Sequence, residues 1–176
     1  MILAHPALEK SIGNKIISAN FSQETNTEVR HLDQLYPDFK IDIKAEQEAL
    51  LNADTIIFQF PLFWYNMPAL LKHWIDQVFQ YGFAFGNESK LTAKKVIVSF
   101  TIGSPIKSYP NEVVEKIVFP LKGLTEYCKM EYVTQIFCND INSYSDEAKK
   151  NAIQSAEEHS KELTALIRQV KQYTKL

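Results

Sequence analysis

The sequence predicts one α/β domain over residues 1–176, a three-layer sandwich whose five-stranded parallel sheet has the strand order 2-1-3-4-5. Short apolar segments alternate with amphipathic ones from end to end, with no linker and no internal repeat. Residues 55–60 and 96–100 are near-continuous apolar runs, the pattern of strands covered on both faces. Five strands suit this order better than a six-stranded dinucleotide-binding sheet. No Gly-x-Gly-x-x-Gly follows the first strand, and five glycines in all leave that fingerprint nowhere else to sit.

The elements follow in order. Ile2 to His5 is a short apolar first strand, and 11–22 is a helix with Ile12, Ile16 and Ala19 on one side. Glu28 to Leu32 is a weak second strand and Ala45 to Leu51 a helix. Thr55 to Phe60 is the third strand, ended by Pro61, which cannot donate to a ladder. A helix opens with Pro68 at its first position, where a missing N–H costs nothing. Leu71, Trp74, Ile75 and Val78 share its apolar face, and Lys72, His73, Asp76 and Gln80 face water. Lys95 to Thr101 is the fourth strand. Glu112 to Tyr127 is a helix that Pro120 should kink or break. Tyr132 to Phe137 is the fifth strand. The last helix, 146–172, carries Ala152, Ala156, His159, Leu163, Leu166 and Val170 at helical spacing.

Composition narrows the function. The hydrophobic content of 45% is ordinary for a globular chain, and no apolar stretch nears the ~18 residues of a membrane span. The start, Met1 to Pro6, lacks a basic leader, so the expected location is the cytoplasm. A net charge of -2 gives no electrostatic case for nucleic acid, and it is mild for an electron carrier that docks through an acidic face. Cys128 and Cys138 have neither metal-type nor redox-type spacing and read as packed thiols; no metal is expected.

In an open α/β sheet, ligands bind beyond the carboxyl ends of the strands where the order reverses. Here those are the loops after strands one, three and four. The first runs from His5 to Asn14 and opens a helix. Ser11 is either only that helix's cap or, with His5, Ile12 and Asn14, one side of an anion site. The second, Pro61, Leu62, Phe63, Trp64, Tyr65, Asn66, holds three aromatic residues in a row that cannot all point inward; the surplus faces a ligand or a partner. The third runs from Thr101 through Gly103 to Tyr109. Its glycine permits close approach to a flat ring, and Thr101 and Tyr109 bring hydroxyls for ring oxygens. Together these loops would wall a flat apolar crevice suited to a planar cofactor.

Over nearly its whole length the chain resembles the NAD(P)H:quinone oxidoreductase branch of flavodoxin-like proteins. That branch includes ancillary oxidoreductases of glutathione-gated potassium efflux systems, drug-activity modulators and general stress NAD(P)H oxidoreductases. The resemblance rests on Ala4-His5-Pro6 with Ser11 and Asn14, on Asp38-Phe39-Lys40-Ile41-Asp42, and on the block from Phe58 to Tyr65. It rests also on Pro68 to Asp76 and on Tyr81-Gly82-Phe83-Ala84-Phe85-Gly86.

The resemblance implies a flavodoxin-like sandwich that binds FMN or FAD. His5, Ser11, Ile12 and Asn14 would hold the phosphate side, and Pro61, Leu62, Phe63 and Trp64 would line the ring. Thr101, Gly103 and Tyr109 would close the other edge, with Tyr109 the catalytic donor. NAD(P)H would supply electrons, a quinone or similar electrophile would accept them, and the unit would be a homodimer. The efflux-system relatives add a second role, a regulatory subunit on a membrane antiporter. Three features depart from the family. The first strand is short, so that the native start would lie upstream. The third loop reads Thr101-Ile102-Gly103-Ser104 where Thr-Thr-Gly-Gly is usual, and residues 110–127 contain no histidine.

Overall fold

The computed structural model describes residues 1–173, with side chains described through residue 170; the last three residues of the expected domain lie outside it. Five parallel strands form one sheet in the order β2-β1-β3-β4-β5: β1 Ile2–Leu3, β2 Arg30–His31, β3 Thr55–Pro61, β4 Lys95–Thr101 and β5 Glu131–Cys138. Among the described residues six α-helices flank it: α1 Gly13–Phe21, α2 Leu32–Leu35, α3 Ile43–Leu51, α4 Ala69–Val78, α5 Val113–Tyr127 and α6 Asp146–Tyr173.

The sheet separates two apolar layers. On one side Ile57, Ile97 and Ile136 meet Ile17 and Phe21 of α1 and Leu163 and Ile167 of α6. On the other Phe58, Phe60, Val98 and Phe100 meet Leu71, Trp74 and Val78 of α4 and Ile117 and Leu121 of α5. Near the carboxyl ends, Phe60 stacks on Phe100 at 5.9 Å and Phe100 on Phe137 at 5.3 Å, a ladder across three strands. Each fully buried phenylalanine contributes ~1.5–3 kcal/mol by leaving water. The ladder gives the loops above it a rigid floor.

Some expectations change in detail. β1 and β2 are two residues each; the Ala4 N–H still donates to the Gln59 carbonyl of β3 at 3.1 Å, and the chain turns away after it. β3 runs one residue further, through Pro61. Residue 61 faces the side of the sheet where β1 has already ended, so no acceptor is left waiting for its missing N–H. Pro68 is the cap before α4 rather than its first residue, and the apolar face of that helix is as expected. His73 is not merely solvated: its Nε2 lies 3.0 Å from the Phe39 carbonyl. Pro120 does not break α5. It and Lys116, whose carbonyl loses its partner, both face water, which can satisfy that carbonyl. In α6 Ile167 joins the expected buried positions, and Leu166 is only half-buried.

The largest change is the rotation of α1. Its buried face is Gly13, Asn14, Ile17, Ser18 and Phe21, while Ile12 and Ile16 are half-buried and Ala19 is exposed. Two polar residues stand at core positions, so apolar spacing alone selects the wrong face.

Candidate functional site

The three loops converge at the carboxyl ends of the strands, and each pair shares a direct contact. Asn14 Nδ2 of the first donates to Thr101 Oγ1 of the third at 2.9 Å. The His5 ring of the first lies edge-on to Phe63 of the second at 6.2 Å. Tyr65 of the second meets Tyr109 of the third edge-on at 5.4 Å, and the Leu62 N–H donates to the Thr101 carbonyl at 2.8 Å.

Ser11 caps α1, its Oγ accepting the Asn14 N–H at 3.2 Å. The Ile12 and Gly13 N–H groups have no partner among the described residues. They stand at the positive end of the helix, as an anion site requires. Gly13 allows α1 to sit this close: a Cβ there would lie 3.0 Å from Thr101 Cγ2 and 3.1 Å from Ile141 Cγ2. Asn14 itself is buried, its Oδ1 accepting from Gln59 Nε2 at 2.8 Å. Its side chain therefore braces the loop rather than lining a crevice.

His5 is half-buried. Its Nδ1 accepts the Ala7 N–H at 3.1 Å, which leaves the ring proton on Nε2. Burial lowers its pKa below the ordinary value, against the opposing pull of the Asp33 carboxylate and with a smaller push from His31. The ring is thus held neutral, a donor through Nε2.

The second loop is a tight hairpin. Phe63 and Asn66 exchange backbone hydrogen bonds at 2.9 and 3.0 Å around Trp64 and Tyr65, whose φ values are 47° and 66°. Left-handed backbone at both central positions normally takes Asn or Gly, so two aromatic side chains here carry strain. The strain turns aromatic surface outward: Phe63, Trp64 and Tyr65 are 42%, 95% and 51% exposed. The Trp64 and Tyr65 N–H groups have no backbone partner among the described residues. Pro61 is buried and Leu62 half-buried beneath the hairpin.

In the third loop the Thr101 hydroxyl lies against Asn14, on the first loop's side of the crevice. Gly103 is exposed, and a Cβ there would meet only the Ile141 carbonyl at 3.8 Å, so the space around it is open. Tyr109 is half-buried and its hydroxyl has no hydrogen bond among the described residues. Nothing local in residues 139–142, after β5, marks them as a fourth contributor. Asn139 Oδ1 accepts the Ile106 N–H at 3.0 Å, the Asp140 N–H donates to Ser104 and the Ile141 N–H to Ile102. They pin the third loop in place. A cavity of about 660 Å³ lies at the opposite end of the sheet, among Ile2, Arg30, Leu50, Thr55 and Ile57, and none of the three loops reaches it.

Cys128 and Cys138 are free and buried, and burial pushes the Cys138 thiol up to about 12. Among the described residues no cluster could hold a metal ion, and no helix is long and apolar enough to cross a membrane.

Comparison with known proteins gives a consistent picture. A family model described as having a flavodoxin-like fold matches residues 1–163. The chain is 41% identical over 139 residues to the glutathione-regulated potassium-efflux system ancillary protein KefF of Enterobacter sp. (strain 638), spanning 76% of this chain and 78% of that protein. Its structure resembles that of general stress protein 14 of Treponema denticola in complex with FMN: TM-score 0.83, 32% identity, 94% of this chain and 97% of that one covered. It also resembles an NADPH-quinone reductase from P. pentosaceus, with TM-score 0.73, 26% identity and coverage of 90% and 95%.

Proposed function

The chain belongs to the flavodoxin-like family, and from that membership and the junction of its three loops we propose that it is a flavin-dependent NAD(P)H oxidoreductase reducing a quinone or similar electrophile. One observation carries the reading: a helix N-terminus with free donors and a strained, outward-facing aromatic hairpin are locked to each other through Thr101 and Tyr109. One end suits a phosphate and the other a flat ring. The FMN held by the Treponema denticola protein favours FMN over FAD.

A flavin bound here would supply two-electron chemistry between NAD(P)H and the acceptor. The chain's own residues bind and orient. The Ile12 and Gly13 N–H groups, with the Ser11 and Thr101 hydroxyls, hold the phosphate, and His5 adds a neutral donor. Pro61, Leu62, Phe63 and Trp64 line the ring and exclude water from one face. The free N–H groups of the hairpin and the Tyr109 hydroxyl would donate to the ring's polar edge, where negative charge grows on reduction. The open space at Gly103 leaves room for nicotinamide or quinone. Trp64 and Tyr81, 95% and 75% exposed, favour a homodimer whose partner covers them. Of the aromatics near Tyr81, Phe83 is core and Phe85 half-buried, so neither needs cover from a partner.

The kinship with KefF favours a second role, as the soluble-side subunit of a potassium efflux antiporter. The test of the main reading is NAD(P)H oxidation by the FMN-supplied protein with a benzoquinone as acceptor. Turnover that disappears when FMN is withheld supports it; no turnover with either nicotinamide nucleotide contradicts it.

A further inference from the structure

A chain of buried side chains runs from α6 through the sheet to the first loop. His159 Nε2 lies 2.7 Å from Ser99 Oγ, and Ser99 Oγ donates to Gln59 Oε1. Gln59 Nε2 donates to Asn14 Oδ1 at 2.8 Å, and Asn14 Nδ2 donates to Thr101 Oγ1 at 2.9 Å and more weakly to Ser11 Oγ at 3.4 Å. All five residues from His159 to Thr101 are at most 5% exposed. Polar side chains this deep are costly unless paired, and an apolar core would have served packing as well.

The links share one direction. With its proton given to Gln59, the Ser99 oxygen accepts from His159, which fixes the ring proton on Nε2. Nδ1 is then a bare acceptor, and it is the buried side-chain atom left without a hydrogen bond among the described residues. The Phe137 carbonyl lies near the ring, but Nδ1 makes no hydrogen bond to it, so the Ser99 contact sets the tautomer. At the far end, Thr101 Oγ1 and Ser11 Oγ receive protons from Asn14. Neither has an acceptor for its own proton among the described residues, so both hydroxyls must donate outward, into the crevice.

Building on the phosphate site proposed above, we propose that His159 is a positioning residue. Through Ser99, Gln59 and Asn14, it fixes the Thr101 and Ser11 hydroxyls as donors to the ligand's phosphate.

The test compares FMN with riboflavin, which lacks the phosphate, by fluorescence titration of the full chain. Wild type should bind FMN more tightly. His159→Leu should cut FMN affinity about tenfold, the worth of one charge-assisted hydrogen bond, and leave riboflavin affinity unchanged. His159→Gln, which keeps a donor toward Ser99, should restore the preference. If His159→Leu keeps the wild-type ratio, the inference fails while the phosphate site stands. If wild type itself shows no preference for FMN, the phosphate site fails and the inference with it. The ¹⁵N chemical shifts of His159 in wild type test the same point with no variant to fold: a proton on Nε2 supports it, and a proton on Nδ1 overturns it.

Discussion

Asn14 and Thr101, far apart in sequence, meet at 2.9 Å, amide nitrogen to hydroxyl, and the contact ties the start of α1 to the end of β4. Asn14 is buried. Asn14→Ala removes this bond, the one from Gln59 and the weaker one to Ser11 Oγ. It should lower stability by ~1–3 kcal/mol in denaturant unfolding and loosen flavin more than the loss of stability explains. Unchanged flavin affinity in a folded variant would contradict the brace.

The hairpin should show a trade between stability and binding. Replacing Trp64 and Tyr65 by Asn and Gly relieves two left-handed non-glycine positions and should stabilise the fold by ~1–2 kcal/mol. The same change removes the ring wall, so flavin affinity and turnover should fall. A variant that binds flavin as tightly as wild type would place the wall elsewhere.

Glu46 is fully buried away from the site. Its carboxylate accepts from Arg30 Nη2 at 2.6 Å, from Trp74 Nε1 at 3.0 Å and from the Tyr36 hydroxyl. Glu46→Ala removes the acceptor for donors on three residues, one of them charged, and should cost ~3–5 kcal/mol in thermal or urea unfolding. Flavin affinity of the folded fraction should be unchanged.

Acid should weaken the fold through His159. Burial lowers its pKa from 6.5 to about 4, against the nearby Phe137 carbonyl, so the folded chain holds the ring neutral. The unfolded chain takes up a proton near pH 6.5 and the folded chain only near 4. The contribution is full above 6.5 and is lost as pH falls toward 4, up to ~3 kcal/mol. Unfolding curves between pH 7 and 4 should show this slope in wild type, and His159→Leu should flatten it.

Much of this architecture was legible in the sequence. Runs such as Val96-Ile97-Val98 and the spacing of Leu71, Trp74, Ile75 and Val78 encode strands and helix faces through burial alone, and the strand order follows. The three loops were legible as well, since Pro61, the aromatic triplet and Gly103 are local signals. What burial could not encode was the polar interior. Asn14 looks like a surface residue, and Gln59, Ser99 and His159, though on buried strands or a buried helix face, carry no sign of one another. Only the fold, which brings β3, β4, α1 and α6 together, makes them a chain. The same blindness turned α1 to the wrong face. Glu46 was hidden for a like reason, because its partners Arg30, Tyr36 and Trp74 lie on three other elements.

The most direct measurement is a crystal structure of the protein grown with FMN. The account predicts the phosphate against the α1 N-terminus, within hydrogen-bond distance of Ser11 and Thr101, and the ring against Phe63 and Trp64. FMN found elsewhere, or a crevice closed by the molecule's own side chains, would contradict it.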